Sequence, residues 1–482
     1  MTGRATMAMT AACMALATLV APAGAAPAVP ELAAAPAGAP TAPGATAKPV
    51  PTAGPDPVEP VAAPTVTVTV RELRAEPEEL FEEESCWYRS GLVTGPADVE
   101  FVHPDLHPLT ADELAELGYG DSFKELPDLL DDVTVYAIPP DLDPLQAALN
   151  MGNGASPVLM AGYAYHWGYA PGAPPTDNVR INGRPLRPQS LFTGLAKSEL
   201  LVGVIDTGFI DYPVTPWPTG RVQRPTQRDA EPAAIDPQLS GHGMFVASTI
   251  LQRRPEASVS VARAGITPLA AFQPHPASAR ADFWNDHVHM STEAATDELQ
   301  MFLAVQRLLD QSDGTDTPFA ALNISMGTYL CDQLASSGLA IRAALARWQD
   351  AQPSAPVVAA AGNHETHDPI PTADYLPADL DLTLDPLKLL PVVSRHTFDL
   401  TGLDLTAVAA LDHSGKGLAD YSNHKPHDVF AVGTDILGIR GATSVTAWSG
   451  TSFATPVVTG AIVGGELPKG DIYELGPVRQ LP

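Results

Sequence analysis

The chain is 482 residues long and carries 27 Lys and Arg against 56 Asp and Glu, a formal net charge of −29, with 45% hydrophobic residues. That balance is globular rather than disordered, and its acidity argues against nucleic acid or an anionic membrane surface as partner, since no basic patch interrupts it. Three cysteines, Cys13, Cys86 and Cys331, exclude a disulfide scaffold and a multi-cysteine zinc site, because no two lie within a turn of each other.

Arg4, an apolar run over 7–20 and the small residues Ala23, Gly24, Ala25 and Ala26 form the pattern of an export signal over 1–26. The run is shorter than the roughly 20 residues that a bilayer span needs, and no later stretch reaches that length. The expectation is a secreted product with no membrane span. Removal of the signal leaves Cys86 and Cys331, either as one pair in an oxidising compartment or as two buried thiols. Residues 27–65 are rich in Ala, Pro and Thr and hold too little apolar surface to offset chain entropy, so they are expected to be a tether.

The segment 66–190 opens with a Val/Thr alternation and an acidic run over 76–84, which reads as a solvated face. Residues 111–117 have helical composition, and 133–138 fit a strand. A stretch rich in Pro, Gly and Arg over 171–188 closes it. From residue 200 the pattern changes to short continuous apolar runs, at 200–205, 259–266, 320–326, 356–361, 405–411 and 429–432. Between them, Met301, Phe302, Val305, Leu308 and Leu309 line one helical face, and Ile341, Ala344, Leu345 and Trp348 another. Strand and helix in alternation predict an α/β fold, a parallel sheet with helices on both faces. Catalytic groups in such folds gather at the carboxyl ends of the strands.

Three short motifs fall at such places. Asp206, in Val204-Ile205-Asp206-Thr207-Gly208, ends a buried strand; alone it could cap a turn, and the same tripeptide marks aspartic peptidases. Those share a proton between two carboxylates, and with no second such tripeptide here an aspartic enzyme would be a symmetric dimer. His242 stands between Gly241 and Gly243 at the start of an apolar helix, where a histidine is often a surface residue with no role. Ser452, in Gly450-Thr451-Ser452-Phe453-Ala454-Thr455-Pro456, lies at a helix start, where serine is usually only a cap. Small residues before it and Pro456 after it, within the first turn, lead one to expect an accessible hydroxyl with backbone N–H groups pointing past it.

Together, and in this order, the motifs resemble the subtilisin-like serine peptidases, the subtilases. Val357 to Asn363 resembles the strand and turn that present the family's oxyanion asparagine, and Asn323-Ile324-Ser325-Met326-Gly327 the segment lining its first specificity pocket. Tyr421-Ser422-Asn423 fits the run towards the nucleophile. The resemblance implies a catalytic triad of Asp206, His242 and Ser452, with Asn363 as oxyanion donor and Ser325, Met326 and Gly327 binding substrate. It covers 197–465 as a peptidase domain, makes 66–190 a candidate propeptide, and leaves 466–482 as a tail. It further implies a protein or peptide substrate and a monomer, with no cofactor required for chemistry; structural calcium, common in the family, stays open, since no loop has regularly spaced carboxylates.

The chain departs from the family in carrying Met244, Phe245 and Ser248 where Thr, His and Gly are usual. It also ends 30 residues after Ser452, so a closing helix typical of the family is expected to be missing. These departures keep a second reading in view, a non-catalytic binding protein on the same fold. His364-Glu365-Thr366-His367 lacks the i, i+4 spacing of a zinc-peptidase helix, and Asp286 with His287 and His289 is weaker still; both read as solvent-exposed loops.

Overall fold

A computed structural model describes residues 65–67 and, with internal gaps, 87–465; the longer gaps are 149–159, 166–173, 275–293, 330–337, 364–374 and 381–399. The signal, nearly all of the tether, the acidic run, Cys86, Cys331, both histidine clusters and the tail lie outside the described residues. In chain order, β1 (Trp87–Pro96), β2 (His107–Pro108), β3 (Val133–Ala137) and β4 (Met160–Tyr165) come first. The apolar runs then begin with β5 (Leu200–Asp206), followed by β6 (Val222–Gln223), α1 (His242–Arg253) and β7 (Ala257–Arg263). Three short strands, β8 (Thr267–Pro268), β9 (Phe272–Pro274) and β10 (Ala294–Asp297), lead into α2 (Glu298–Thr315). Next come β11 (Phe319–Ile324), α3 (Leu339–Ala351), β12 (Val357–Ala360), β13 (Leu405–Leu411) and β14 (Val429–Val432). A hairpin of β15 (Ile436–Gly441) and β16 (Ser444–Trp448) precedes the last helix, α4 (Thr451–Val463).

The six apolar runs, joined by the short β6 at one edge, form one parallel sheet of seven strands in the order β6-β7-β5-β11-β12-β13-β14. Its strands are apolar on both faces because both are covered. Leu201 and Ile205 of β5 join the apolar cluster of α2 and α3, whereas Val202 and Val204 join that of α1. The expected faces of α2 and α3 are buried in full, from Met301 to Leu309 and from Ile341 to Trp348. Strands β7 and β11 stop earlier than their apolar runs suggest. Arg263 lies opposite Asp206, the last residue of β5, and Ile324 opposite Ile205, one residue before that end. The carboxyl ends of the central strands therefore align along one edge.

A second, antiparallel sheet has the order β8-β10-β4-β1-β3-β2, with β9 also paired to β1. It interleaves strands from before β5 with three from between β7 and α2. Leu92, Val93, Val133 and Val135 share an apolar cluster with Phe302 and Trp348, so this sheet packs on α2 and α3. Asp297 pins the joint: it caps α2 through Gln300 N at 3.0 Å, accepts the Tyr119 hydroxyl at 2.8 Å and faces Arg89 at 3.7 Å. Arg347 of α3 pairs with Asp132 beside β3.

Candidate active site

Asp206 ends β5 at the edge just described, where the strand order turns from β7 on one side to β11 on the other. It is 0% exposed; its Oδ1 accepts the Thr207 N–H at 2.7 Å and lies 2.7 Å from His242 Nδ1. A carboxylate only accepts, so Nδ1 carries the proton and the neutral ring presents a lone pair at Nε2. His242 is also 0% exposed, its ring packed against both Trp448 (centroids 5.3 Å apart) and Phe453 (5.1 Å), which stack on each other. Nε2 is buried and has no hydrogen-bond partner among the described residues. An unpaired buried polar atom costs about 1–3 kcal/mol.

Ser452 is the second residue of α4, and Pro456 the sixth, a turn later than the sequence suggested. Proline has no N–H, so the helix cannot satisfy the Ser452 carbonyl four residues back. Ser325 does so instead: its Oγ donates to Ser452 O at 2.9 Å, and Ser452 Oγ donates in return to Ser325 O at 2.9 Å. Ser325 Oγ also accepts Asn323 Nδ2 at 2.8 Å. This reciprocal pair joins the start of α4 to the end of β11. It also encloses the hydroxyl, for Ser452 is 2% exposed rather than the accessible serine expected from its place at a helix start.

Asn363 follows β12 and is 5% exposed. Its Oδ1 accepts both the Thr451 N–H (2.8 Å) and the Thr451 hydroxyl (3.0 Å), and Gly362 N donates to that hydroxyl at 3.2 Å. With the carbonyl end held on the start of α4, the amide NH₂ is the end left to donate. Behind it, Asn423 N donates to Gly362 O at 3.0 Å, and Ser422 Oγ accepts Ala410 N at 2.7 Å. The structure therefore brings Asp206 to His242, Ser452 to Ser325 and Asn363 to Thr451, all at one sheet edge. Met326 differs from expectation: it is fully buried in the main apolar cluster, so its side chain does not line an open pocket.

Two of the three departures in α1, Phe245 and Ser248, have a shared cause. Phe245 packs edge-on against Trp448 (5.5 Å) and Phe453 (4.8 Å), and a Cβ on Gly438 of β15 would meet its ring at 2.6 Å. Ser248 Oγ donates to Phe245 O at 2.8 Å and accepts Ile439 N at 2.9 Å. Both side chains tie the His-bearing helix to the β15–β16 hairpin, which the sequence pattern did not announce.

Sequence reasoning also missed Glu231. Its carboxylate accepts Thr207 Oγ1 (2.8 Å), Ser240 Oγ (2.7 Å) and the Gly241 N–H (2.9 and 3.0 Å). Burial, and then the nearby Asp206 charge, push its pKa above the usual carboxylate range against the pull of these donors. Ala230-Glu231-Pro232 carries no sequence signal for this place. Among the described residues, no group of three or more His, Cys, Asp or Glu could hold a metal ion, and no helix is long and apolar enough to cross a membrane.

A buried Asp–His pair and a helix-borne serine at the carboxyl edge of a parallel sheet belong to the serine hydrolase class. The model of the subtilase family, Peptidase_S8, matches residues 197–464, more than half of the chain, and the chain belongs to that family of serine proteases. No curated protein matches the sequence. Among solved structures, the self-cleaved protease domain of PatA is similar at 20% identity, covering 56% of this chain and 80% of that one, with a TM-score of 0.35. The prenylagaramide maturation protease PagA is similar at 21% identity over 56% and 80%, TM-score 0.35. The PatG macrocyclase domain is similar at 17% identity over 57% and 77%, TM-score 0.34.

Proposed function

We propose that the chain is an exported, monomeric serine endopeptidase that cleaves protein or peptide substrates through an acyl-enzyme, without a cofactor. In this reading the Ser452 hydroxyl leaves the Ser325 carbonyl for His242 Nε2 when peptide arrives. A serine hydroxyl is a poor nucleophile at neutral pH, so His242 takes its proton during attack and returns it to the leaving amine. Asp206 holds the tautomer that keeps Nε2 open and stabilises the imidazolium that forms. The Asn363 NH₂, aided by the Ser452 N–H in the first turn of α4, donates to the oxyanion. The substrate lies extended beside Ser325 to Gly327, pairing through its backbone. Export is supported by the signal pattern over 1–26.

One observation carries this reading: the 2.7 Å Asp206–His242 pair with Nε2 left without a partner among the described residues. The test is fluorophosphonate labelling of the purified protein beside Ser452→Ala, with casein cleavage followed in parallel. Labelling and cleavage that both vanish in the variant support it. A folded wild type that neither labels nor cleaves overturns it in favour of a binding protein on the same fold.

A further inference from the structure

Helix α1 needs a particular residue at its N-cap and cannot use it to cap. Gly241 has φ 78, and a Cβ there would overlap the Arg440 carbonyl, so the position admits only glycine. A glycine N-cap offers no side-chain oxygen to the helix start. The carboxylate that arrives instead is that of Glu231, from a separate segment. Residues 229–231 run hard against the turn after Asp206: Phe209 N donates to Asp229 O at 2.8 Å, Glu231 N to Phe209 O at 2.9 Å, and a Cβ on Gly208 would lie 2.9 Å from Asp229 O.

The contacts close a ring. Asp206 precedes Thr207, whose hydroxyl donates to Glu231 Oε2 (2.8 Å) and accepts the Gly243 N–H (3.1 Å). Glu231 in turn receives the Gly241 N–H and the Ser240 hydroxyl. Gly241 and Gly243 flank His242, so the Glu231 carboxylate holds the residue after the acid and one neighbour of the base directly, and reaches the other neighbour through the Thr207 hydroxyl. Its negative charge also stands at the positive end of α1. Resting on the protease reading above, we infer that Glu231 is a positioning residue, which sets the distance and angle between Asp206 and His242 and so the readiness of Nε2 to accept the serine proton. Glutamine cannot replace it in kind, since the Gly241 N–H donates to both carboxylate oxygens and an NH₂ in either place would face that N–H.

The experiment compares full-length wild type with Glu231→Gln and Thr207→Val, the latter removing the bridging hydroxyl. Each is measured for kcat and KM on a peptide substrate, for unfolding midpoint, and by proton NMR for the low-field Nδ1–H resonance of His242. Expected are folded variants whose kcat falls roughly tenfold with KM within about twofold, because misplacing a reacting group weakens the chemical step rather than ground-state binding, together with a shifted or broadened resonance. Wild-type kcat and an unmoved resonance in both variants overturn the inference, as does a loss of activity that only tracks the unfolded fraction. Should neither variant fold, Ser240→Ala removes a single donor and is judged by the same two readouts. The resonance reports the Asp206–His242 pair whether or not peptide is cleaved. A wild type that fails to label at Ser452 but loses the resonance on substitution would therefore refute the protease reading and leave the positioning role standing.

Discussion

The reciprocal bond between Ser325 and Ser452 rests on the missing N–H of Pro456, and that dependence can be measured. Ser325→Ala removes the donor to the Ser452 carbonyl and the acceptor of Asn323 Nδ2, all of them buried. A lost hydrogen bond costs about 1 kcal/mol and each buried group left unsatisfied about 1–3; with partial relaxation the expected destabilisation is about 2–4 kcal/mol. Pro456→Ala restores a backbone donor four residues after Ser452, which the helix can turn onto the same carbonyl. In the Pro456→Ala background, Ser325→Ala should therefore cost at least about 1 kcal/mol less, a coupling well above the roughly 0.3–0.5 kcal/mol at which independent sites add. Guanidinium unfolding of the four proteins, all carrying Ser452→Ala to prevent self-digestion, gives the cycle. Additivity within that margin, at unchanged m values, would refute the account of why Ser325 and Pro456 occur together.

Asn363→Ala should lower kcat by about 10²–10³ with little change in KM, the size known for removing one oxyanion donor in subtilisin and carried over from it; steady-state kinetics on a peptide substrate decide. Asp297→Ala removes the cap of α2 and leaves Arg89 and Tyr119 short of a partner in a buried joint, so unfolding should show a loss of about 3–5 kcal/mol. Because the pKa of Glu231 is raised on folding, the native state holds a proton that the unfolded state releases. Its contribution to stability is full below the ordinary carboxylate range and is lost as pH rises through the raised value. Unfolding free energies across that window should thus fall less steeply with pH in Glu231→Gln than in wild type.

What the sequence made legible was whatever depends on local period or local chemistry. The continuous apolar runs gave six strands of the central sheet, and the helical faces Met301 to Leu309 and Ile341 to Trp348 are buried as their spacing requires. The run overshot at β7 because the strand ends opposite Asp206, the last residue of its neighbour β5, which is a property of pairing and not of the segment. Glu231 was invisible for a related reason. Its three donors come from residues 207, 240 and 241, and only the fold assembles them. The hairpin before α4 escaped because its partners, Phe245 and Ser248, sit nearly 200 residues earlier and looked like mere departures from a pattern. Met326 stood within a recognisable segment, yet its orientation into the core is set by packing.

The interleaved second sheet bears on the order in which the chain can fold as it is made. Strands β1 and β4 leave the ribosome more than 100 residues before β9 and β10, their partners on that sheet. Until those arrive, β4 has an open edge, and the apolar faces of β1 and β3 lack the helices that will cover them. Pairings at such long sequence separation form slowly and expose sticky edges while they wait. The antiparallel sheet is therefore complete only after synthesis has passed α3.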